Sequence, residues 1–72
     1  MEFDYSKLAG KIVERFGTRG KFAKAINISE HSISKKINNN VAWTQIEIKR
    51  ICDILNIKKK EIPVYFFTPK VQ

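Results

Sequence analysis

Two stop-and-restart signals eleven residues apart divide the first half of this 72-residue chain and limit what it can fold into. Gly17 supplies the left-handed position that ends many helices, and Thr18 directly after it is a helix N-cap. Asn27 belongs to the residue type that, glycine aside, most readily accepts a positive φ. It ends the helix that Thr18 opens and begins a tight turn, and Ser29 caps the helix beyond. The segment therefore reads as helix, turn, helix.

The flanking sequence supports the same plan. Asp4 is a candidate N-cap for a first helix, with Phe3 and Leu8 at the spacing of a hydrophobic staple. Leu8, Ile12 and Phe16, helped by Ala9 and Val13, share one face. In the second helix Phe22, Ala23 and Ile26 face inward, and in the third Ile33 and Ile37 stack at i,i+4. The run Asn38, Asn39, Asn40 stops the third helix. Thr44-Gln45-Ile46-Glu47 is a capping box with Trp43 and Ile48 as its staple. Ile48, Ile51, Cys52, Ile54 and Leu55 then form the apolar face of a fourth helix that Asn56 ends. "IKKKEI" predicts one more short turn, limited by Pro63. The tail "VYFFTPKVQ" predicts an extended segment, and Val64 to Phe67 fit either the core or a strand paired with a second subunit. The expected fold is all-α: one small helix-turn-helix domain over residues 1–72, of four to five helices with an extended C-terminal tail, the motif itself spanning about 18–38.

Composition narrows the function. Fourteen Lys and Arg stand against seven Asp and Glu, a formal net charge of +7, which favours a polyanionic partner. The single cysteine, Cys52, excludes an internal disulfide, and its apolar neighbours predict a buried thiol in a reducing compartment. No signal peptide and no apolar run of about 20 residues is visible, so the expectation is a soluble cytoplasmic protein. One histidine, no Gly-rich phosphate loop and no ligand cluster predict neither an enzyme nor a metal or cofactor site.

A second helix after a short turn is the element that enters a DNA major groove. Its outward face here carries Ser29, Glu30, His31, Ser34, Lys35 and Asn38. Lys35 suits guanine or phosphate, Ser34 most base edges, and Glu30 a cytosine amine. Arg19, Lys21, Lys36 and Asn39 are candidates for the DNA backbone or for an acidic partner. Each also has a plainer explanation. Glu30 in a first turn complements the helix dipole with no partner at all, His31 is an ordinary solvated side chain, and the asparagines are a helix stop. Arg19, Lys21, Lys24, Lys35 and Lys36 against the one acid Glu30 give the segment a local charge of +4. If about three of these met phosphates, the log–log salt slope would be roughly −3, a weak attraction. One module of this size reads too few bases alone, so self-dimerisation or a partner protein is expected.

"FGTRGKFAKAINISEHSISKKINNN", framed by "DYSKLAGKIVERFGT" and "IKRICDILNIKKKEIPVYFF", resembles the phage repressor and Cro-like helix-turn-helix family over nearly the whole chain. Within it the chain is most similar to the modulators of repression of lactococcal temperate phages. The resemblance implies a lambda-repressor-like fold and a role in the lysis–lysogeny switch of a bacterial host. It implies a modulator or antirepressor that complexes with the CI repressor and alters its operator binding. The alternative is an autonomous Cro-like repressor that dimerises on double-stranded operator DNA. Carried over by position, the family's base-contacting sites fall on Glu30, His31, Ser34 and Lys35, with Arg19 at the backbone-contacting start of the preceding helix. Two positions depart from the pattern. Lys36 stands where relatives commonly place an apolar residue, and Glu30 puts an acid where relatives are neutral or basic. That acid repels phosphate and suits a cationic side chain on a DNA-binding partner.

Overall fold

The computed structural model describes residues 2–71. Five α-helices occur among them: α1 (Ser6–Phe16), α2 (Arg19–Ile26), α3 (Glu30–Ile37), α4 (Gln45–Leu55) and α5 (Ile62–Phe66), with a 3-10 turn over Lys59–Glu61 before α5. The architecture is all-α, and one cluster centred on Leu8, Ile12, Phe22, Ile33, Ile51 and Phe66 forms its core.

The caps stand where local chemistry puts them. The Thr18 hydroxyl accepts from the Lys21 N–H at 3.2 Å, and the Ser29 hydroxyl from the Ser32 N–H at 3.1 Å. Thr44 and Glu47 close a reciprocal capping box. Asn27 and Asn56 both adopt φ 57° and end α2 and α4.

The start of α1 differs from expectation. Tyr5, not Asp4, is the N-cap residue, and the Asp4 carboxylate accepts from the Ser6 N–H at 2.8 Å, two residues on. The cause lies at the other end of the chain. The Asp4 N–H donates to the Thr68 carbonyl and the Lys70 N–H to the Glu2 carbonyl, so residues 2–4 lie extended beside residues 68–70. The staple spacing of Phe3 to Leu8 then no longer applies, and the Phe3 ring meets Phe67 edge-on at 5.8 Å. Val13 also departs. It lies one helical step from buried Ile12 and is 50% exposed.

The expected extended tail begins only at Thr68. Pro63 opens α5 in its first turn, where a missing N–H costs nothing, instead of ending a helix. Phe66 is thereby carried into the core, while Val64 and Phe67 stay about half-exposed. Trp43 is core as well: Tyr5 and Phe66 both meet its ring edge-on, at 6.3 and 6.0 Å.

Candidate recognition surface

The turn between α2 and α3 is set by main-chain bonds. With Asn27 left-handed, its N–H turns back to the Ala23 and Lys24 carbonyls, and the Ile28 N–H reaches Ala23 at 3.0 Å. Ala23 is buried where the two helices meet, and Ile33 anchors α3 in the core. These constraints turn the other side of α3 to solvent. Ser29, Glu30, His31, Lys35 and Asn38 are exposed, Ser34 is half-buried, and Lys21 is exposed at the start of α2. Arg19 is half-buried in a groove lined also by Tyr5, Ser6, Asn38 and Lys70.

Two predicted surface residues belong to the interior framework instead. Lys36 is buried, its ammonium 2.9 Å from a Glu47 carboxylate oxygen, 3.1 Å from the Ala42 carbonyl and 5.7 Å above the Trp43 ring. Its aliphatic stem fills the apolar position that α3 presents to the loop and α4, and its charge is spent within the fold. It is not placed to meet phosphate. Asn39 adopts φ 66° and uses its amide on the N-terminal segment: the Phe3 N–H donates to it at 3.0 Å, and it donates to the Phe3 carbonyl at 2.8 Å. The amide is thereby held against the N-terminal segment, with one N–H left over.

Glu30 bends back towards α2. Its two carboxylate oxygens lie 3.6 and 3.7 Å from where a Cβ on Gly20 would stand, so the carboxylate packs over residue 20 of α2. It walls a groove between α2 and α3 whose lining includes Ala23, Lys24, Ile28 and Ser29. No ion pair involves Glu30 among the described residues, whereas Glu2, Glu14, Glu47 and Asp53 each have a lysine partner. The surface thus combines free cations at Lys21 and Lys35 with one free carboxylate at the leading edge of α3.

Electrostatics elsewhere is structural. Burial raises the Glu47 carboxyl, but the Thr44 N–H and the Lys36 ammonium outweigh it and hold the group below the usual carboxylate range. The Ser6 N–H lowers Asp4 in the same way. Burial raises the Cys52 thiol, which suits a core side chain and not a nucleophile. No cluster of three His, Cys, Asp or Glu suited to a metal occurs among the described residues, and no helix is long and apolar enough to cross a membrane.

Sequence reasoning missed two contributors. Arg50 donates Nη2 to the Ile26 carbonyl at the end of α2, and Gly20 is the residue over which the Glu30 carboxylate packs. The signal for the first was the i,i+3 spacing of Glu47 and Arg50, which puts both on one side of α4. Gly20 carried none beyond its cost inside a short helix.

The family model described as a protein of unknown function (DUF739) matches residues 1–69. The solution structure of the modulator of repression of the temperate bacteriophage TP901-1 from Lactococcus lactis is similar to this chain, at 43% identity and a TM-score of 0.80. The match covers 100% of this chain and 97% of that one, and the matched protein is a regulator, not an enzyme. No curated relative matches the chain.

Proposed function

This chain belongs to the DUF739 family, and from its 43% identity over its full length to a phage modulator of repression we propose that it too is one. In this reading α2, the turn and α3 form a helix-turn-helix within a single domain of residues 1–72, working in the host cytoplasm. It complexes with a CI-type repressor and alters the repressor's operator binding, favouring lytic growth.

The observation that carries the reading is Glu30. A helix that reads DNA by itself gains nothing from an unpaired carboxylate at its leading edge, where phosphates approach. A DNA-binding partner offers arginines and lysines that such a carboxylate can pair with. The withdrawal of Lys36 into the core points the same way. Of the five cations between Thr18 and Asn40, only Arg19, Lys21, Lys24 and Lys35 remain for a polyanion. Ser29, His31, Ser34 and Asn38 then supply polar contacts around the Glu30 pair.

The exposed Lys35 with half-buried Ser34 beside it favours the second reading, an autonomous Cro-like dimer on operator DNA. Gel-shift titrations at about 0.15 M salt separate the two. This protein alone, a CI-type repressor alone and the mixture are each titrated onto operator DNA. The modulator reading expects no tight shift by this protein alone and an altered repressor shift in the mixture. A tight, sequence-specific shift by this protein alone, unchanged by the repressor, would sink it. Charge reversal Glu30→Lys is expected to weaken the repressor complex about tenfold or more, because it sets like charges together. In the Cro-like reading the same change tightens DNA binding.

A further inference from the structure

α3 is held differently from its neighbours. Ile33 reaches the core, but α2 is the only helix that packs extensively along α3 among the described residues. Much of what fixes its attitude is polar, and it comes from one turn of α4. Glu47 takes the Lys36 ammonium near the end of α3. Arg50, three residues further along the same side of α4, donates to the Ile26 carbonyl just before the turn that leads into α3.

That carbonyl is one of the last four of α2, which a helix leaves without internal partners. No backbone N–H among the described residues donates to it, because its helical partner would be the N–H of Glu30, which lies beyond the turn. A guanidinium at this end also complements the negative pole of α2. Most arginines on an exposed helix face are solvated and bind nothing in particular. This one spans from α4 to a main-chain oxygen at the one turn on which the recognition surface depends.

We propose that Arg50 is a positioning residue for that surface. By holding the Ile26 carbonyl it fixes the α2–α3 turn. With Glu47 holding Lys36 near the end of α3, it fixes the approach into that helix and presents the Glu30 edge preformed to a partner. The consequence for binding rests on the modulator reading above; the consequence for the turn does not.

The test uses the whole chain and three variants. Arg50→Met keeps the stem and removes every donor, and Arg50→Lys restores one cationic donor. Arg50→Gln is too short to reach Ile26 and replaces the Met variant if that one is unstable. Residue-resolved amide hydrogen exchange is followed at Ile28, Ile33 and Ile12, with affinity for a purified CI-type lactococcal phage repressor measured in parallel. The expected result is exchange about tenfold faster at Ile28 and Ile33 with Ile12 unchanged, the size of one lost charge-assisted bond. Repressor affinity falls by a similar factor, and the Lys variant recovers most of both. Unchanged exchange at Ile28 and Ile33, or equal acceleration at Ile12, overturns the proposal. If the native chain binds no CI-type repressor, the functional reading fails, and the exchange pattern still decides the role of Arg50.

Discussion

The Lys36 ammonium stands 2.9 Å from a Glu47 carboxylate oxygen, with the two side chains only 9% and 17% exposed. Removing one member of such a pair strands the other charge, at about 3 kcal/mol for a well-buried pair. Glu47→Gln is therefore expected to lower unfolding free energy by roughly 2–3 kcal/mol in urea titrations. The double variant Lys36→Met with Glu47→Gln should recover at least half of it, because no charge is left stranded. Equal losses in the single and double variants would show that the unpaired Lys36 ammonium carries no penalty.

Acid should act through the same carboxylate. Its folded-state pKa lies below the ordinary value, so its contribution is complete above the unfolded value of about 4.3 and is lost as pH falls through the lower folded one. Stability is expected to hold from about pH 7 to 5 and fall below that, more gently in Glu47→Gln. Identical profiles below pH 5 for the two proteins would contradict this origin.

Asn39 has two jobs that substitution separates. Asn39→Gly keeps the φ of 66° and loses both bonds to Phe3, whereas Asn39→Ala also strains the backbone. Thermal unfolding should place Ala below Gly by about 1 kcal/mol, with both below the native chain. Ala at or above Gly would mean that the left-handed backbone is not enforced.

Gly10 lies inside α1, and a Cβ there meets nothing within 4 Å. Gly10→Ala is expected to stabilise the protein by about 0.5–1 kcal/mol, a rise of a few degrees in Tm for a domain of this size. A fall in Tm would mean that the site is crowded.

What could be read in advance follows from how far each interaction reaches along the chain. The caps at Thr18, Ser29 and Thr44 join groups three residues apart, so the sequence displays both partners. The inward positions of Phe22, Ile26, Ile33 and Ile51 follow from helical period alone. The start of α1 was hidden because its geometry is imposed by Thr68, at the far end of the chain. Lys36 was hidden for a subtler reason. Beside Lys35 it reads as one more solvated charge, and its partner Glu47, eleven residues on, was already explained by its capping box. Asn39 likewise reads as a helix stop until Phe3 is seen to lie against it. Glu30 packs over Gly20 of the preceding helix, and nothing in hydrophobic periodicity marks such a contact.

The position of Trp43 gives the molecule a built-in optical probe. It is the one tryptophan in the chain, and its ring touches Tyr5 from the beginning, Phe66 from the end and the charge of Lys36 from the middle. Its emission should be blue-shifted in the folded state and move to the red when any of those three neighbours departs. Fluorescence-detected refolding of this protein therefore times the moment at which the two ends of the chain and α3 come together.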